Sequence, residues 1–134
     1  MRLLPVILPL LLLTIFVAGC GPPKMDPETI AYAKSIVFKN VRLSAKSDLT
    51  GRDTYFLRID VTNNGQRVIK ELDIMMYFFD TQGKIIYSER ATAVSPRRRP
   101  LNPGETRDFQ HGFDLPAEWN RVSPTITITY LELR

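Results

Sequence analysis

One cysteine, one histidine and one tryptophan in 134 residues leave little raw material for chemistry. A lone cysteine excludes an intrachain disulfide framework, and a lone histidine excludes the multi-histidine metal sites that hold zinc or copper. The sequence contains no Gly-x-Ser-x-Gly, Ser-x-x-Lys or His-Glu-x-x-His pattern, so no activated nucleophile or metalloprotease helix is signalled. No catalytic residue is assigned, and the chain is read as a non-enzyme. Charge is missing from one region in particular, because Arg2 is the sole charged residue among the first eighteen. The whole chain is nonetheless 44% hydrophobic and 24% charged, which excludes a disordered polyelectrolyte and allows one ordinary globular domain.

The uncharged region is an apolar run, Leu3 to Ala18, that follows the basic start Met1-Arg2. That is the layout of a secretory signal peptide. A membrane-spanning helix needs about 20 apolar residues, whereas this run is shorter and is broken by Pro5 and Pro9. It closes in Val17-Ala18-Gly19-Cys20, two small residues before the only cysteine, followed by Gly21-Pro22-Pro23. These four residues resemble the lipobox of bacterial lipoproteins. The resemblance implies cleavage between Gly19 and Cys20, a diacylglyceryl thioether on the Cys20 sulfur and an N-acyl (palmitate-type) chain on its amine. Two or three acyl chains anchor stably where one does not, at about 0.8 kcal/mol per buried methylene. Gly21 stands where an aspartate commonly retains lipoproteins at the inner membrane. In a two-membrane cell the resemblance therefore implies the outer membrane, facing the periplasm.

Residues 1–19 are thus expected to be removed. Residues 20–34 are read as the lipidated cysteine, a proline-rich tether and a short helix, with Asp26 as N-cap and Pro27 at the first helical position of a segment Glu28 to Ser35. The chain from Cys20 onward keeps 115 residues with 17 Lys+Arg against 14 Asp+Glu, enough to bury a core without metal or disulfide. That mild positive charge suits a membrane surface with anionic headgroups or an ordinary soluble domain, and nucleic acid is not expected as a partner because a secreted lipoprotein rarely meets it.

Residues 35–134 alternate with a period near two, interrupted by turn residues, which predicts strands throughout. Ser35 to Ala45 has Val37, Val41 and Leu43 at odd positions with Ile36 and Phe38 opposite. Tyr55 to Thr62 sets Tyr55, Leu57, Ile59 and Val61 against Arg58, Asp60 and Thr62. Val68 to Asp80 is apolar on both faces at its end and is read as a central strand. Ile85 to Val94, Thr106 to Phe113 and Thr125 to Leu133 complete the set. Tight turns are expected at Asn63-Asn64-Gly65-Gln66, Thr81-Gln82-Gly83-Lys84 and Asn102-Pro103-Gly104-Glu105, with Asn and Gly supplying positive φ. Six or seven short strands without crossover helices predict an all-β antiparallel sandwich.

Three of these stretches carry a resemblance. Val61-Thr62-Asn63-Asn64-Gly65, then Met76-Tyr77-Phe78-Phe79-Asp80-Thr81-Gln82-Gly83-Lys84, then Leu101-Asn102-Pro103-Gly104-Glu105 are similar to the FxLYD group of immunoglobulin-like domains. Those domains show V-x-N-x-G, an aromatic and an aspartate before x-x-G-K, and L-x-P-G-E. The chain keeps the aspartate of the naming motif, Asp80, and replaces its other marked positions. The resemblance implies an immunoglobulin-like sandwich of a bacterial envelope protein, with no catalytic residues and no cofactor beyond the lipid on Cys20.

Few side chains then invite a functional role. Arg97-Arg98-Arg99, bounded by Pro96 and Pro100, offers three guanidiniums to lipid phosphates, where they would reinforce a lipid anchor, to an anionic glycan or to an acidic protein of the envelope, or else solvates an edge loop. Trp119 is a docking indole or, preferably, a plug at the end of the sandwich. His111 lies near Glu105, Asp108 and Asp114, but strand alternation puts Glu105 and His111 on one face with Phe109 and Phe113 and the two aspartates on the other. A half-exposed strand histidine is the preferred reading over a metal site, and no metal is assigned. Tyr77 and Phe79 face either a packed layer or a recognition patch. The function read from these features is a lipid-anchored envelope module that binds or scaffolds near the membrane. The alternatives are a small-ligand or metal-binding periplasmic lipoprotein and a structural subunit of an envelope or secretion assembly.

Overall fold

The computed structural model describes residues 24–134. The expected signal segment 1–19 and the acylation site Cys20 lie outside the described residues. The chain enters through a short helix, α1 (Pro27–Ala33), and continues as six strands: β1 (Ile36–Ser47), β2 (Asp53–Asn63), β3 (Ile69–Phe79), β4 (Ile85–Val94), β5 (Thr106–Phe113) and β6 (Thr125–Leu133). Asp26 caps α1 by accepting from the Thr29 backbone N–H at 2.8 Å, with Pro27 in the first turn. The helix stops before Ile36-Val37-Phe38, whose β-branched and aromatic side chains favour a strand.

The strands form two antiparallel three-stranded sheets, ordered β1-β2-β5 and β4-β3-β6. Hairpins join β1 to β2 and β3 to β4, while β2 to β3, β4 to β5 and β5 to β6 each cross between sheets. This is the two-sheet antiparallel sandwich expected from the alternation, with the immunoglobulin-like feature that consecutive central strands β2 and β3 lie in opposite sheets. Leu57, Ile59 and Val61 of β2 face Leu72, Ile74, Met76 and Phe78 of β3, all fully buried. Each such side chain contributes about 1.5–3 kcal/mol by leaving water. Phe78 meets Phe113 of the opposite sheet edge-on, with ring centroids 4.9 Å apart.

Several sequence expectations are revised. The apolar positions of β1 change parity partway along, from Ile36 and Phe38 to Val41 and Leu43. The register with β2 shifts by one between Lys39 and Arg42, and Asn40 takes φ 51° at that point. A β-bulge therefore turns two mismatched alternations into one inward-facing row. The Asn63–Gln66 segment is not a hairpin turn but the start of a crossover between sheets, and Gly65 has no positive φ. Its glycine is needed for space, because a Cβ there would lie 2.2 Å from Tyr32 Oη. Gly83 and Gly104 do take positive φ, 79° and 76°, as their turns require.

Candidate functional site

The ladder registers divide the sandwich into two ends. Ile36↔Asn63, Thr62↔Thr106, Ile69↔Leu133 and Leu72↔Val94 mark one end, where the chain enters. Ser47↔Asp53, Tyr55↔Phe113, Phe79↔Ile85 and Tyr77↔Thr125 mark the other. The arginine triplet sits in the β4–β5 connection and therefore at the entry end.

Asn63 builds that end. It is fully buried, and its amide satisfies all of its hydrogen-bonding capacity. Oδ1 accepts from Tyr32 Oη at 2.8 Å and from the Gly65 N–H at 3.1 Å, while Nδ2 donates to the carbonyls of Arg67 at 2.8 Å and Leu101 at 3.1 Å. The Asn63 backbone adds bonds to Glu105 O and Gly104 N. One side chain thus joins α1, the β2–β3 crossover and the arginine loop. The pattern Val61-x-Asn63-x-Gly65 reads structurally as this hub plus the glycine on which the Tyr32 ring lies.

Leu101-Asn102-Pro103-Gly104-Glu105 closes the loop from the other side. Leu101 is fully buried and exchanges two backbone bonds with Ile69 at 2.9 Å each. Glu105 accepts from the Asn102 N–H at 2.9 Å, from Arg107 at 3.2 Å and from Arg99. The Asn102 bond and the two guanidiniums hold its carboxyl below the ordinary value of 4.5 despite partial burial. The expected row of three free guanidiniums is therefore two: Arg99 is folded onto Glu105, whereas Arg97 and Arg98 are exposed and form no ion pair among the described residues.

Beside this loop, the edge strands β4 and β5 of opposite sheets leave a groove of about 560 Å³. Thr92, Ser95 and Arg98 line one side and Arg107, Phe109 and His111 the other. One lining residue, His111, belongs to a chain of three bonded side chains. His111 Nε2 lies 2.8 Å from Glu89 Oε1, and Tyr87 Oη donates to Glu89 Oε2 at 2.6 Å. Burial pushes the Glu89 carboxyl up, but the bonds from Tyr87 and His111 outweigh it and leave the group below 4.5. The bond to Glu89, with burial and the nearby carboxylate charges, pushes the Tyr87 phenol up to about 12.

His111 does share its face with Phe109 and Phe113, whose rings lie 6.1 and 4.8 Å away. The carboxylates near it in sequence go elsewhere: Asp108 pairs with Arg58 and Asp114 with Arg52, each at 2.9 Å. No group of three His, Cys, Asp or Glu side chains converges among the described residues. The partner of His111 is Glu89, 22 residues away in sequence, which alternation along β5 cannot reveal. Trp119 is only 6% exposed. Its ring meets Tyr55 edge-on at 4.9 Å and its indole N–H donates to Val122 O at 3.1 Å, so it plugs the distal end. Tyr77 and Phe79 are half-buried on the outer face of their sheet. Gly19 and Cys20, the expected cleavage and lipidation residues, lie outside the described residues.

No family model matches the chain. No curated protein matches it either. Among solved structures it is similar to the X-ray structure of the Northeast Structural Genomics Consortium target SoR45. That similarity has 14% identity and a TM-score of 0.44, over 75% of this chain and 86% of that one. No helix among the described residues is long and apolar enough to cross a membrane.

Proposed function

We propose that the protein is a lipid-anchored lipoprotein of the bacterial cell envelope whose β-sandwich acts as a non-catalytic binding or scaffolding module close to the membrane. One observation carries the reading: the only cysteine of the chain terminates an uncharged apolar leader as Val17-Ala18-Gly19-Cys20. A secreted chain that spends its single thiol there commits it to a thioether. The resemblance to FxLYD domains implies an envelope sandwich without catalytic residues, and the residues that carry it serve structure. Asn63 and Leu101 hold the entry end together, and Asp80 accepts from the Gln82 and Lys84 N–H groups at 2.9 Å each. In a two-membrane cell the module faces the periplasm from the outer membrane.

The test is the Cys20→Ala variant expressed in a bacterial host. Intact-mass analysis of the parent should show the acyl groups on a chain beginning at Cys20. The variant should lose that mass and stay uncleaved, and a normally cleaved, membrane-retained variant would overturn the reading. The groove between β4 and β5 favours a second role for the same anchored domain, binding of a small anionic ligand beside Arg98 and His111. A thermal shift on adding carboxylate or phosphate metabolites, absent in His111→Ala, would support it.

A further inference from the structure

The fold gathers loops that are far apart in sequence at the end where the chain enters. Residues 24–35, 63–69, 94–106 and 132–134 lie there, and together they carry seven cationic against four anionic side chains, a formal +3. The distal segments 47–53, 80–85 and 113–125 carry three cationic against five anionic, a formal −2. The domain is therefore polar along its strands, with its positive end where the described chain enters. Pairing sharpens the contrast. At the entry end Glu28 is engaged by Arg67 at 3.4 Å, Glu132 by Lys70 at 2.7 Å, and Glu105 by Arg99 and Arg107. Arg97 and Arg98, together with Lys34, form no ion pair among the described residues. Their loop is held out rigidly, because Pro96 and Pro100 flank it and Leu101 and Asn63 pin its base.

Distance decides what this end can touch. Four peptide units separate Cys20 from Lys24, so the chain between them spans at most about 14 Å even when fully extended. That reach is an upper bound of under two Debye lengths, each about 8 Å at physiological ionic strength. A domain tethered by Cys20 cannot carry its positive end far from the lipid headgroups.

We propose that the entry end of the sandwich rests on anionic phospholipid headgroups, with Arg97 and Arg98 bonding to lipid phosphates. The distal loops then point away from the bilayer. This placement rests on the acylation of Cys20. Guanidinium forms bidentate bonds to phosphate, and each basic residue near an anionic leaflet contributes about a fivefold bias toward the surface. The acyl chains supply attachment, and the arginines supply orientation.

The experiment places the mature acylated protein in lipid nanodiscs of phosphatidylcholine alone or with phosphatidylglycerol, and follows amide hydrogen exchange by mass spectrometry. Phosphatidylglycerol should slow exchange in residues 95–105 and 63–68 and leave 48–52 and 80–84 unchanged. The slowing should vanish at high salt and in an Arg97→Ser/Arg98→Ser variant, which loses about 25-fold of bias by the same scale. Neither arginine bonds to the rest of the fold through its side chain, so the variant should unfold at the parent's temperature. Equal exchange in the two kinds of disc, or slowing at the distal loops, overturns the placement while leaving the anchor intact. A purified mature chain without acyl mass overturns the anchor and the placement together.

Discussion

Asn63→Ala tests the hub most directly. The substitution removes four side-chain hydrogen bonds from a fully buried position. A hydrogen bond is worth about 1 kcal/mol net, and a buried group left without a partner costs about 1–3 kcal/mol. Not every partner is stranded: Leu101 O keeps its bond from the Ile69 N–H at 2.9 Å, and the single Tyr32 hydroxyl proton, released from Asn63 Oδ1, turns to Arg67 O, 2.9 Å away. Gly65 N–H loses its acceptor. The expected loss is about 3 kcal/mol, which lowers Tm by about 12 °C in a domain of this size. Equilibrium urea unfolding followed by Trp119 fluorescence gives the free energy, and calorimetry gives Tm. Asn63→Asp should be worse than Asn63→Ala at neutral pH, since it turns a carboxylate oxygen toward two carbonyls. A loss below about 1 kcal/mol for Ala, or an Asp variant more stable than the Ala variant, would refute the account of a fully engaged amide.

Three further outcomes follow from the same geometry. Gly65→Ala should destabilise by about 1–3 kcal/mol because its Cβ would overlap the Tyr32 ring; the cost should fall sharply in a Tyr32→Ala background, and an unchanged cost there would sink the steric explanation. The depressed Glu89 carboxyl stabilises the fold above pH 4.5, and that contribution is lost as pH falls through its lower folded value. The stability gap between parent and Glu89→Gln should therefore be constant at neutral pH and close in acid, and a gap independent of pH between 7 and 3 would exclude the bridge to His111 and Tyr87 as its cause. Trp119→Ala should cost about 3–5 kcal/mol, and the parent's emission should be blue-shifted and resist acrylamide; red-shifted, readily quenched emission would return the indole to the surface.

Some of the molecule is legible along the chain because the signal is local. Alternation along Tyr55–Val61 and Leu72–Phe78 marks inward faces, since successive strand side chains point to opposite sides of a sheet. Gly83 and Gly104 announce turns because their φ is set by their own segment. The uncharged apolar run before Cys20 is likewise written in consecutive residues, and so is the triplet Arg97-Arg98-Arg99.

What depends on two distant segments meeting was decided by the tertiary structure. Alternation places His111 on the inner face but does not say which strand edge lies across from it, so Glu89 appears only when β4 and β5 come to the same side of the sandwich. Asn63 and Gly65 look like turn residues until α1 brings Tyr32 onto them. Arg99 reads as one of three equal arginines until the loop folds it onto Glu105. By itself the sequence determined the strands and their inward faces, because periodicity and side-chain chemistry act within a segment. Only the crossovers between sheets decided which loops share an end, which charges are neutralised and which guanidiniums stay open, because those follow from pairing in space.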